Sequence, residues 1–292
     1  MKLALGTAQF GMNYGATNRS GQVSFDEVAA ILKLAEENCI EILDTAFQYG
    51  ESEEILGRAL GDNQSFKIVT KTPSFMVEKI EPAHVVELER VFRGSLAKLG
   101  RKSVYGLLIH NAPDLMADKH RSLVELLERL KAEGVVAKVG VSVYNTASLD
   151  TILAGWCPDI VQLPLNVLDQ RMLQGEYLRR LAELDVEIHV RSVFLQGVLL
   201  EDPAKLNPWF EPVRGLLDGY RKFLSMHGLT PLEGALAMVA GVKEIDYVLV
   251  GVLSTSQVRE ILSSLNHGKL LDFSPFACDN EQIINPSLWR LS

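Results

Sequence analysis

Cysteine is scarce in this chain. Only Cys39, Cys157 and Cys278 occur among 292 residues. They form no CxxC pair and no zinc-ligand spacing, so a disulfide framework and a structural zinc site lack support, and a reducing compartment fits best. Positive charge is also short. Lys and Arg number 29 against 37 Asp and Glu, for a formal net charge of -8. That balance argues against nucleic acid or an anionic membrane as the main partner. No uninterrupted apolar run reaches the roughly 18 residues of a membrane span. The start, Met1-Lys-Leu-Ala-Leu-Gly, lacks the layout of a signal peptide. A soluble, cytoplasmic protein is expected. The glycines from Gly94 to Gly106 have no phosphate-binding arrangement, and His84, His120, His189, His227 and His267 have no metal spacing. No linker or low-complexity stretch divides the chain, so one domain over 1–292 is expected.

Hydrophobic residues make up 47% and charged residues 23%, enough to bury a sizeable core. Eight short apolar runs read as buried strands: Leu3–Leu5, Ile40–Leu43, Phe66–Thr70, Val104–Ile109, Val135–Val141, Ile160–Leu163, Val186–Arg191 and Tyr247–Val250. Amphipathic segments lie between them. Ser24-Phe-Asp-Glu27 is a capping-box signature, and Glu81-Pro82 opens a second helix. Leu123, Leu126, Leu127 and Leu130 mark a third, stopped at Gly134. Further helices are expected at Arg171–Leu184, from Thr230-Pro231, and at Thr255–Leu265. Strand–helix alternation demands a parallel sheet, and eight repeats close it, giving an α/β fold of the (β/α)8 TIM-barrel type. Two segments break the rhythm: a long loop after strand 7, Phe194–Gly228, and the C-terminal tail Asn266–Ser292. Both are expected to fold over a barrel end.

Four polar residues fall at or just after the ends of three successive strands: Asp44, Tyr49, Lys71 and His110. In a closed parallel barrel those ends converge on one mouth, where active sites lie. Each residue alone has an ordinary structural reading, as a turn cap, a packing ring, a solvated strand end or a satisfied imidazole. Together at one mouth they make an acid–base set for a carbonyl oxygen. A free phenol has a pKa of about 10, and a cation in hydrogen-bond reach lowers it by roughly 1–3 units. Lys71 would be that cation for Tyr49, Asp44 its partner, and His110 would orient the substrate oxygen and share in proton transfer. Lys71 as a Schiff-base lysine, in a barrel isomerase or aldolase, is the competing reading. It needs an unpaired, low-pKa amine, against which Asp44 argues.

The pattern Asp44-Thr-Ala, Tyr49-Gly-Glu-Ser-Glu, Leu56-Gly, Thr70-Lys71 and Leu108-Ile-His110 resembles the aldo-keto reductases. Gly6-Thr7, Gly140-Val-Ser142, Gln162 and Ser192…Leu195-Gln-Gly197-Val-Leu199 extend the likeness, which runs from about Lys2 to Leu265. The chain looks like the short bacterial members, since Leu3 already lies in the first strand where others carry an N-terminal hairpin. The resemblance implies reduction of a small-molecule carbonyl substrate with NADP, NAD being possible, bound extended and without a Rossmann domain. It implies catalytic roles for Asp44, Tyr49, Lys71 and His110. It implies cofactor contacts from Gly6, Thr7, Asp44, Ser142 and Gln162, from Ser192, Leu195 and Gly197, and from Gly251, Ser254, Gln257 and Glu260. A monomer or weak homo-oligomer is expected.

Three positions depart from the family's pattern. Val143 stands where many members have Asn, and Leu165 where many have an aromatic that stacks on nicotinamide. Leu253-Ser254 replaces the Lys or Arg that grips a 2′-phosphate, and Arg259 is the only cation nearby. A helix starting near Thr255 would still offer free N–H groups to a phosphate. For the substrate, a small polar, sugar-type carbonyl compound is expected. Gln48, Asn111 and Arg191 would bond its hydroxyls, and Phe47, Phe75 and Trp209 would form a wall. In a second arrangement Phe273, Phe276 and Trp289 of the tail make a larger apolar lid. A cofactor-binding regulatory subunit of the same fold is the alternative to an enzyme.

Overall fold

The structure, a computed structural model, describes residues 2–266 and 271–291. The strands are β1 (Lys2–Gly6), β2 (Ile42–Asp44), β3 (Lys67–Lys71), β4 (Val104–Ile109), β5 (Val136–Ser142), β6 (Ile160–Pro164), β7 (Glu187–Arg191) and β8 (Tyr247–Gly251). They pair in chain order, and β8 pairs with β1 to close the barrel. All eight pairings are parallel. Short apolar runs suit this arrangement because each strand is covered on both faces. Alternation divides the side chains into two sets. Ala4, Ile42, Val69, Leu108, Ile160 and Leu249 form one packed cluster. A larger cluster fills the space between strands and helices, with Leu5, Leu43, Leu107 and Val141 contributed by the sheet.

Six of the eight strands reach one residue further toward their C-terminal ends than hydrophobicity predicts. β2 runs to Asp44 and β3 to Lys71, with Gly6 opposite Asp44 and Lys71 opposite Leu108. The polar ends stay in the ladder because their side chains find partners with each other, described below. Asp44 and Lys71 are therefore strand residues, held by main-chain pairing.

The helices follow their caps, with two departures. Ser24 caps the helix Phe25–Glu37 by accepting from the Glu27 N–H at 3.4 Å. The reciprocal half of the predicted capping box is not made, because the Glu27 carboxylate turns to another helix. The single helix predicted over 171–184 is two, Arg171–Gln174 and Tyr177–Glu183. Glu176 between them has φ 57, a left-handed conformation that a continuous helix cannot hold.

The loop after β7 carries three short 3-10 segments, Leu195–Gly197, Pro203–Lys205 and Pro208–Val213, before the helix Arg214–Met226. In the tail, Met1's counterpart at the other terminus, Ser292, lies outside the described residues, as do Met1 itself and residues 267–270. The expectation for His267 falls there too. The described part of the tail is no lid. Phe273 and Phe276 pack on Tyr220 and Phe223 of the helix Arg214–Met226, and Trp289 on Phe210. Its backbone is tied beside β6, Cys278 N–H to Leu168 O at 2.8 Å and Gln170 Nε2 to Phe273 O at 2.7 Å. Among the described residues no helix is long and apolar enough to cross a membrane.

Candidate active site

Two side chains at adjacent strand ends form a buried ion pair. Lys71 Nζ lies 2.5 Å from Asp44 Oδ1, and both residues are almost wholly buried. The ammonium also donates to Thr45 O at 2.9 Å and to Tyr49 Oη at 3.4 Å. The second Asp44 oxygen accepts from Gln162 Nε2 at 2.7 Å, and Gln162 Oε1 accepts from Ser142 Oγ at 3.3 Å. Such completeness matters, because a buried charge left unpaired costs several kcal/mol in order of magnitude. Burial pulls the Lys71 ammonium below its ordinary value while Asp44 holds it up.

Tyr49 sits on the loop between β2 and the helix Ser52–Leu60. Its backbone is clamped by two glycines. A Cβ on Gly11 would lie 1.9 Å from Tyr49 O, and one on Gly50, at φ +58, would lie 2.3 Å from Gly11 O. Only glycine permits that approach. The His110 ring meets the Tyr49 ring edge to face at 5.8 Å. Its Nδ1 is buried and makes no hydrogen bond. Burial, then Lys71 and Arg191, push the imidazole down to about 3. His110 is thus neutral at ordinary pH. Burial and Asp44 hold the Tyr49 phenol well above its ordinary range, with Arg191 pulling the other way. The predicted lowering of Tyr49 by Lys71 does not occur. Asp44 neutralises Lys71 at contact distance, so the pair exerts little net pull and desolvation wins.

A cavity runs from these residues along the barrel mouth. Tyr49, His110, Asp44, Gly6, Ser142 and Gln162 line it at one end. Ser192 and Gly197 line it from the loop after β7, and Gly251, Gln257 and Glu260 from the β8 side. Four expected contacts do not line it: Thr7, Lys71, Leu195 and Ser254. Thr7 is buried below, where its hydroxyl donates to Asp44 O at 3.0 Å. Leu195 is fully buried in the core, and Ser254 caps the helix Thr255–Ser263. Lys71 is enclosed behind Tyr49, which leaves no free amine for a Schiff base. Val143 and Leu165 are also buried off the cavity, so neither takes up the place of a nicotinamide contact.

Of the predicted substrate contacts, only Arg191 lines the cavity. Gln48 is bonded by Ser74 and Asn111 bonds Asp114. Phe47 lies under Lys98, Phe75 beside His84, and Trp209 donates to Gln282 O in the tail. The sequence reading missed the loop after β1, which supplies Gln9, Tyr14, Thr17 and Asn18 to the wall. Its length and its place at a strand's C-terminal end were available signals. This loop meets the β7 loop, where Thr17 Oγ1 contacts Gln196 O at 3.4 Å. Ser192, Leu195 and Gln196 all have positive φ there, backbone strain of a kind that clusters at functional sites.

A strand-end lysine–aspartate pair behind a tyrosine, with a neutral histidine against its ring, can polarise a carbonyl and protonate its oxygen. The profile of the Aldo/keto reductase family matches residues 2–274. This chain belongs to the aldo/keto reductase family. It is similar in fold to the aldo-keto reductase AKR11C1 from Bacillus halodurans, solved in a holo form. That likeness has 20% identity, covers 100% of this chain and 93% of the other, and gives a TM-score of 0.72. The glycerol dehydrogenase AKR11B4 from Gluconobacter oxydans is similar at 20% identity, over 94% of this chain and 90% of the other, with a TM-score of 0.70. A comparison with curated proteins found no match. Membership makes this aldo-keto reductase an oxidoreductase and supports carbonyl reduction in general terms.

Proposed function

We propose that this chain reduces an aldehyde or ketone to the alcohol, using NAD(P)H, with Tyr49 as general acid. The observation that carries this is the Tyr49 hydroxyl on the cavity wall, 3.4 Å from a lysine that Asp44 already satisfies. The cavity suits an extended dinucleotide. Ser142 and Gln162 offer amide-compatible groups beside Tyr49, and Gly197 and Ser192 bring backbone close from the loop after β7. A nicotinamide held there would supply hydride to the carbonyl carbon. Tyr49 donates its proton to the carbonyl oxygen as negative charge develops on it. Lys71 stabilises the phenolate left behind, and Asp44 keeps Lys71 in place. His110, neutral, orients the oxygen and carries no charge of its own into the site.

The substrate we infer is a small polar carbonyl compound, sugar derivatives included, because the cavity wall carries the Arg191 guanidinium and the amides of Gln9, Asn18, Gln162 and Gln196. Tyr49→Phe tests the acid role. General acid catalysis is worth about 10²–10⁴-fold, so kcat should fall by that much with dinucleotide affinity unchanged. Turnover within about threefold of the unmutated chain would remove Tyr49 from the chemistry.

A further inference from the structure

The loop after β1 is held on two sides. On one side it rests on the Tyr49 turn, where Gly11 O accepts from the Glu51 N–H at 3.2 Å. On the other it meets the loop after β7. Arg19 pairs with Glu201 at 3.5 Å, and Thr17 Oγ1 donates to Gln196 O at 3.4 Å. Asn18 ties the loop internally, donating from Nδ2 to Tyr14 O at 3.1 Å and to Gly21 O at 2.9 Å. These links fix Tyr14 on the cavity wall that Tyr49 and Gln196 also line.

The Tyr14 hydroxyl has one partner. Gln196 Nε2 donates to it at 3.2 Å, from a residue at φ 52. A phenol that accepts can still donate, and an amide that donates can still accept at its oxygen. Among the described residues nothing accepts from Tyr14 Oη, and nothing donates to Gln196 Oε1. Burial, then Tyr49 and Tyr144, hold the Tyr14 phenol well above its ordinary range, while Arg191 and Lys71 pull it down. Tyr14 thus keeps its proton, and it stands within electrostatic reach of Tyr49. An unspent donor and an unspent acceptor side by side suit an alcohol hydroxyl, which offers one of each. A site built to bond a substrate hydroxyl also rejects the analogue that lacks it, because its own polar groups are then left unpaired.

We propose that Tyr14 and Gln196 select the substrate by binding a hydroxyl borne beside the reacting carbonyl, Tyr14 donating to it and Gln196 Oε1 accepting from it. The favoured substrates are then α-hydroxy aldehydes and α-hydroxy ketones. The proposal deepens the carbonyl reduction given above and rests on it. Tyr49 remains the acid, and Tyr14 and Gln196 take no part in proton transfer to the carbonyl oxygen.

The test compares glyceraldehyde with propionaldehyde, which has the same carbon chain and no hydroxyl. Rates are measured with NADH and with NADPH, and each aldehyde is corrected for its hydrated fraction. In the unmutated chain kcat/KM should favour glyceraldehyde by about tenfold, as expected for two neutral hydrogen bonds. Tyr14→Phe keeps the ring and removes the hydroxyl, and should cut that ratio to within about threefold. Gln196→Met removes the acceptor from the other loop and should narrow the ratio as well, which gives a second reading independent of how the first variant folds. A ratio that stays the same in the variants while both aldehydes slow equally is the mark of a loop that only shapes the fold, and it overturns the proposal. A ratio below about twofold in the unmutated chain overturns it too. Turnover of neither aldehyde by the unmutated chain overturns it along with the carbonyl-reduction reading.

Discussion

The phenol of Tyr49 resists losing its proton because burial penalises phenolate. The imidazole of His110 resists gaining one for the same reason. Between them they leave a protonated acid and a neutral orienting ring over a wide pH range. For reduction, the rate at saturating carbonyl compound should therefore vary by less than about threefold from about pH 5 to pH 9. Oxidation of the alcohol needs phenolate, and should rise by up to about tenfold per pH unit on the alkaline side. Steady-state rates in both directions check this. An acidic limb near pH 6.5, the ordinary histidine value, would mean that protonated His110 is the acid instead. Arg191 poses a second question at this scale. Its guanidinium stacks on Tyr144 at 4.0 Å and donates to Val143 O and Ser192 Oγ, yet among the described residues it faces no carboxylate. A charge-assisted bond is worth about 1.5–3 kcal/mol, or roughly ten- to a hundredfold in affinity. An aldehyde bearing a carboxylate, such as 4-carboxybenzaldehyde, should be preferred over benzaldehyde by about tenfold in kcat/KM, and Arg191→Met should erase that preference. If the variant slows both aldehydes equally, Arg191 serves the cofactor or the fold.

At the scale of elements, Glu53 joins three of them. It lies on the helix Ser52–Leu60, accepts from Thr70 Oγ1 of β3 at 2.6 Å, and has Ser95 of the helix Pro82–Leu99 as a neighbour. Burial raises its carboxyl above the ordinary 4.5, and one oxygen has no hydrogen-bond partner among the described residues. The folded chain thus binds this proton more tightly than the unfolded one. The stability involved is fully present below the unfolded value and is lost as pH rises through the folded one. Glu53→Gln cannot ionise. Its Tm relative to the unmutated chain should therefore climb between about pH 4 and pH 8, at roughly 2–4 °C for each kcal/mol gained. A difference in Tm that stays constant over that range would show that Glu53 does not titrate on unfolding. Elements also mark where local sequence misled. Helical periodicity over 171–184 is real, but Gly175 and Glu176 turn the chain between two short helices.

At the scale of the molecule, the eight apolar runs and their alternation with amphipathic segments determine a closed parallel barrel, because strands covered on both faces and joined by helices have few other ways to close. The candidate catalytic residues were legible for the same reason. Asp44, Lys71 and His110 interrupt or end apolar runs, and Tyr49 follows one closely, so the barrel rule alone sends them to one mouth. What the runs do not encode is distance between loops. Arg191 and Tyr144, Thr17 and Gln196, and Glu27 and Thr255 meet only after closure, the last pair 228 positions apart. Gln48, Asn111, Phe47 and Phe75 are placed near the catalytic residues by sequence, yet they turn to neighbours off the cavity. Ionisation was decided at this scale as well. From sequence, Lys71 stands ready to lower the Tyr49 pKa. In the closed barrel Asp44 cancels the lysine's charge at 2.5 Å, and the exclusion of water sets the outcome.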